Sequence, residues 1–99
     1  MSNSALGGTW DELEQELLDK GYLTSEEVAA SKLRVAIIGE LVRVRQEQGI
    51  SQRQLEEMSG VKQPQIARIE SGEANPRLDT LIKVLVPLGK TLAIVPLKQ

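Results

Sequence analysis

Between Gly60 and Gly72 the segment VKQPQIARIES sets Lys62, Gln63, Gln65 and Arg68 among Val61, Ile66 and Ile69. At helical spacing the three aliphatic residues share one face and the polar four are left outward. A glutamine amide carries a donor and an acceptor and can pair with adenine through both; a guanidinium can do the same with guanine. An ordinary exposed helix favours charge pairs and alanine, so two glutamines and an arginine near a helix start suit base reading. Glutamine is also a fair helix former, which leaves a plain solvated helix as the competing reading.

Composition excludes much else. The chain has 99 residues, no cysteine and no histidine. Disulfides, thiolate metal sites, the commonest general base and the commonest metal ligand are all missing. No Ser/His/Asp set, phosphate-cradling glycine loop or zinc spacing can be built. An enzyme is not expected, nor a cofactor or metal. No apolar run approaches the roughly 20 residues of a membrane span, and MSNSALGG lacks the basic start and apolar run of a secretory signal. A soluble cytoplasmic protein is expected. The net charge of −2 hides an asymmetry: residues 1–31 hold seven acids against Lys20, a balance of −6, and the rest of the chain stands at +4. That split suits two partners of opposite character, or an acidic face that is merely solvated.

The elements that must position the polar four can be placed from local signals. Thr9 and Glu12 form a capping box ahead of a helix whose Trp10, Leu13 and Leu17 share one face, with Leu18 beside it and Gly21 after its end. Thr24 and Glu27 form a second box, followed by Leu33, Ile37, Leu41 and Val44 at helical spacing, widened by Ile38 and Val42, with a possible break between Ala30 and Leu33 and a stop at Gly49. Ser51 caps a helix to about Met58, Gly60 supplies a left-handed turn, and Leu55, Met58, Val61, Ile66 and Ile69 make the inner surface. EANPR is a loop. LDTLIKVLVPLG is a further helix, limited by Pro87. TLAIVPL is β-branched and apolar and reads as a strand.

Two helices joined by a glycine turn, the second polar on its outer side, describe a helix-turn-helix, whose second helix enters the major groove while the first crosses the backbone. The stretch SQRQLEEMSGVKQPQIARIESG, Ser51 to Gly72, resembles the Cro/repressor (xenobiotic-response-element) family: SQ-x-x-L, then SGV, then Q-P-x-I-x-R-x-E-x-G. The resemblance implies a mainly α, λ-repressor-like five-helix domain over roughly 33–90. It implies that Gln52 grips a phosphate, that Lys62, Gln63, Pro64 and Arg68 face bases, that Gln65 lies close to phosphate, and that Asn75 is a further backbone contact. Lys62 departs from the pattern, because family members commonly carry serine or threonine there as the helix cap. The loss costs roughly 0.5–2 kcal/mol unless Gln63 takes the role with Pro64 at the first helical position. Glu70 could pair with Arg68, although a spacing of two does not put them on one face.

The two ends add partners. A lone strand in KTLAIVPLKQ leaves its backbone groups unpaired, so its expected partner is the same strand of a second copy, with Leu92 and Ile94 pointing one way and Val95 the other. The alternative is an irregular tail packed on its own domain. With its N-terminal arm and LGKTLAIVPL, the whole chain is similar to HigA-type antitoxins. That family pairs an operator-binding homodimer with neutralisation of a basic HigB/RelE-type ribonuclease toxin. Trp10, Leu13, Leu17 and Leu18 beside several carboxylates would suit such a partner, the tryptophan as anchor and the acids as steering charge; equally, Trp10 could pack on its own helices. The expected organisation is an acidic helical arm at 1–23, a helix-turn-helix domain at 24–90 and a dimerising strand at 91–99. The expected function is antitoxin and autorepressor, against a stand-alone repressor without a toxin, or an adaptor that reuses the fold without touching DNA.

Overall fold

The computed structural model describes residues 10–97, with Trp10 described by its backbone alone. Five α-helices run in order: α1 Trp10–Asp19, α2 Ser25–Glu47, α3 Gln52–Ser59, α4 Gln63–Glu70 and α5 Leu78–Leu85, followed by a 3-10 turn at Val86–Leu88. The chain divides into two compact units, Met1–Val35 and Ala36–Gln99. No helix among the described residues is long and apolar enough to cross a membrane.

In the first unit the expected cap at Thr9 and the side chain of Trp10 lie outside the described residues. α1 is followed by a turn at Gly21, in the left-handed region at φ 77°. The second box forms as the sequence requires: the Glu27 N–H donates to Thr24 Oγ1 at 3.1 Å and the Thr24 N–H donates to Glu27 Oε1 at 2.9 Å. α2 then continues through Ala30–Leu33 without a break. Leu33 lies exposed on it instead of joining an apolar stripe.

The second unit holds the core. Leu41 and Val44 of α2, Leu55 of α3, Val61 in the turn, Ile66 and Ile69 of α4, and Leu81, Val84, Leu85 and Leu88 form one buried cluster. Met58 is half-exposed and does not join it, although it shares the apolar periodicity of α3. Leu88, held in the 3-10 turn after Pro87, closes the cluster.

Residues 91–97 form no strand. A strand needs a neighbour for its N–H and C=O groups, and none exists among the described residues. Leu92 packs against the core, while Ile94 and Val95 are solvent-exposed, Ile94 completely.

Candidate nucleic-acid interface

The helical pair is fixed at each local joint. The Gln54 N–H donates to Ser51 Oγ at 3.0 Å and the Ser51 N–H donates to Gln54 Oε1 at 2.8 Å, a complete capping box at the start of α3. Gly60 takes φ 80°, and its N–H donates to the Glu56 carbonyl. In the turn, Ser59 Oγ donates to the Leu55 carbonyl at 2.7 Å and accepts the Val61 N–H at 3.1 Å. Val61 is thereby aimed into the core, with Leu55, Ile66 and Ile69 behind it. The outer side of α4 is left to Gln63, Pro64, Gln65 and Arg68.

At the start of α4 Lys62 occupies the N-cap position and its side chain makes no cap bond, and Gln63 does not take that role. Gln63 is the first helical residue and Pro64 the second, where a missing N–H costs nothing. The Gln63 N–H donates at 2.7 Å to Oε1 of Glu56, a carboxylate reaching across from α3.

Behind Gln63 runs a chain of bonds between residues distant in sequence. Arg45, from α2, donates from Nε to Glu70 Oε2 at 2.7 Å and from Nη2 to Glu70 Oε1 at 2.8 Å, and its Nη1 donates to the Ile50 carbonyl at 2.8 Å. This two-pronged pair is nearly inaccessible to water, with side-chain exposures of 11% and 7%. Glu70 therefore pairs with Arg45 and not with Arg68. Gln52 Nε2 donates to Glu70 Oε1 at 2.9 Å, and Gln63 Nε2 donates to Gln52 Oε1 at 2.8 Å. Donor polarity leaves no freedom in this chain. A guanidinium only donates and a carboxylate only accepts, so Gln52 must turn its NH2 to Glu70 and its oxygen to Gln63. Gln63 must then turn its NH2 to Gln52. What remains uncommitted on Gln63 is one N–H and the amide oxygen, the pair that matches adenine. What remains on Gln52 is one N–H, a donor suited to phosphate.

A cleft of about 440 Å³ lies on the other side of α4. It brings together Lys62, Pro64, Gln65 and Arg68 of the recognition segment with Asn75 and Arg77 of the following loop. The seven residues expected to meet DNA thus fall into two neighbouring groups: Gln52 with Gln63, and the other five around the cleft. Arg77 and Thr80, which also line it, were missed, as were Arg45, Glu56 and Glu70. For Arg45 a signal existed: it lies four residues after Leu41, on a buried helix face where a lone arginine must have a partner. The expected partner-binding leucines of α1 belong to the first unit, Leu13 exposed and Leu17 and Leu18 half-buried. Among the described residues, no cluster of acids could hold a metal ion.

The helix-turn-helix family profile matches residues 41–95. The chain is 58% identical over 95 residues to an "Uncharacterized HTH-type transcriptional regulator" of Haemophilus influenzae, covering 96% of this chain and 92% of that one. It is 40% identical over 53 residues to the HTH-type transcriptional regulator PuuR of Escherichia coli, a match that spans 54% of this chain and 29% of PuuR. Among solved structures, a chain from the "Toxin-Antitoxin module from Streptococcus pneumoniae" superposes with a TM-score of 0.72 at 53% identity, covering 97% of this chain and all of that one.

Proposed function

The chain belongs to the Cro/repressor-type helix-turn-helix family of transcriptional regulators, and from that premise we propose that it is an antitoxin. As a dimer it binds operator DNA and represses its own operon, and through its acidic arm it covers and neutralises a basic HigB/RelE-type ribonuclease toxin. The observation that carries the DNA half is the polarity-locked chain from Arg45 through Glu70 and Gln52 to Gln63, which holds an adenine-matching amide out from a rigid core. Arg68, on the same helix, reads guanine. Gln52, Gln65 and Asn75 hold phosphates, and Lys62 and Pro64 lie against the groove.

The toxin half is supported by the charge of the arm and by the likeness over nearly the whole chain to a member of a toxin–antitoxin module. α1 carries Asp11, Glu12, Glu14, Glu16 and Asp19 beside Leu13, Leu17 and Leu18. Acids steer a basic partner and the apolar side chains, with Trp10, anchor it. The dimer is supported by the tail, whose Ile94 and Val95 are exposed to solvent in one copy. Paired antiparallel across a two-fold axis, two tails with Leu92 at their base satisfy each other's backbone and set the recognition helices about 34–36 Å apart, as a palindromic operator requires.

A gel shift with the DNA upstream of its own operon tests the first half, and co-purification with the product of the adjacent gene tests the second. Binding to DNA without any toxin partner would leave the stand-alone repressor. Loss of residues 91–99 yields monomers in sedimentation; persistent dimers would refute the paired tails. Gln52→Ala removes both a phosphate donor and the group that turns the Gln63 amide, so it weakens binding to every duplex and relaxes sequence preference together. A uniform loss with preference intact would detach Gln52 from base reading.

A further inference from the structure

A helix leaves its first N–H groups without intrahelical partners, and the N-cap residue commonly offers an oxygen to one of them. Lys62 stands at that position in α4 and has no oxygen to offer. Glu56 does the work from the neighbouring helix, accepting the Gln63 N–H at 2.7 Å. Glu56 is half-buried, whereas Lys62 is exposed and in no ion pair among the described residues. Placing a carboxylate beside a surface that meets a polyanion is electrostatically unfavourable, so a compensating role is required of it.

That role is visible in the spacing. Gln52 and Glu56 stand four residues apart, one above the other on α3. Gln52 holds the side chain of Gln63 and Glu56 holds its backbone. One residue of the recognition helix is therefore gripped at both ends by one face of the preceding helix. We propose that Glu56 is a positioning residue for base reading: its carboxylate replaces the absent cap of the recognition helix, fixes Gln63, and frees position 62 for a lysine whose positive charge lies against the groove. The inference rests on the DNA-binding function proposed above.

The test uses the full chain and two duplexes, the upstream operon DNA and a scrambled duplex of equal composition. Glu56→Ala lowers the ratio of the two affinities about fivefold, the size of one lost cap. Glu56→Gln keeps an acceptor for the Gln63 N–H and removes the charge, so the ratio stays within about twofold of wild type and both affinities rise. Glu56→Ala combined with Lys62→Ser regains a local cap, so the ratio recovers while both affinities fall with the lost lysine. A readout without DNA runs beside these: hydrogen exchange at the Gln63 amide speeds up in Glu56→Ala, stays near wild type in Glu56→Gln, and stays fast in the double variant, whose serine meets the Gln65 N–H instead. Equal loss on both duplexes in Glu56→Ala, unchanged exchange at Gln63, or failure of the serine to restore the ratio each overturns the proposal. A wild-type chain that does not distinguish the two duplexes overturns the DNA-binding function beneath it, whatever the exchange at Gln63 shows.

Discussion

Residues 36–97 and residues 11–35 are both largely helical, yet different forces hold them. The second unit buries ten apolar side chains and keeps the Arg45–Glu70 pair almost out of water. In the first unit no described side chain is buried, and Leu13, Tyr22, Leu33 and Val35 lie exposed. Its ion pairs, Lys20 with Glu16 and Lys32 with Glu14, sit at the surface, where water and salt weaken them. A surface that reads base edges must hold donors and acceptors in fixed places, so it is built on a packed core. Under the proposed function the first unit is covered by a partner, and such a segment can leave its apolar side chains in solution until the partner arrives.

The sharpest way to break this contrast is to open the buried pair. Glu70→Ala leaves the Arg45 guanidinium buried without a counter-charge and costs about 3–5 kcal/mol. A urea denaturation midpoint that hardly moves would mean that the pair supports nothing. Leu55→Ala, at the centre of the core, costs about 2–5 kcal/mol, whereas Leu13→Ala, 38% exposed, stays within about 0.5 kcal/mol. Similar losses in the same titration would erase the distinction between the units. If the proposed antitoxin function holds, Leu13→Ala weakens capture of the toxin instead. Arg68→Ala lowers operator affinity by about 1–3 kcal/mol and relaxes sequence preference, with the denaturation midpoint unchanged; competition against single-base operator variants measures it.

The smallest effect sits in the first unit. The hydrogen bond and charge of Glu14 raise the Lys32 ammonium above the ordinary lysine range. A raised folded-state pKa contributes stability below the unfolded value and loses it as pH climbs through the folded one. Lys32→Met should therefore leave helicity near neutral pH almost unchanged and remove a shallow fall at alkaline pH, followed by circular dichroism. A wild-type signal flat through that range would discount the pair.

The local grammar of the chain was legible from its residues. Thr24 with Glu27, Ser51 before α3, Gly21, Gly49, Gly60 and Gly72 in the left-handed region, and most of the apolar positions of α3 to α5 all follow from contacts within a few residues. The outward set at Lys62, Gln63, Gln65 and Arg68 follows from the same periodicity. Helices that look continuous or broken were harder, as α2 demonstrates, because its exposed middle has no apolar pattern to declare it. Met58 was misplaced inside because periodicity says which face a residue shares but not where the neighbouring helix ends.

The residue types and their helical spacing alone determined where α2, α3 and α4 are capped or stopped and which amides and guanidinium face outward, since those depend on bonds made within one or two turns. Tertiary structure alone decided that Glu70 answers Arg45 from 25 residues away, that Glu56 caps a helix it does not belong to, and that the tail stays irregular without a neighbour. Each of these is a hydrogen-bonding need that the nearby chain cannot meet, and only packing chooses which distant group, if any, meets it.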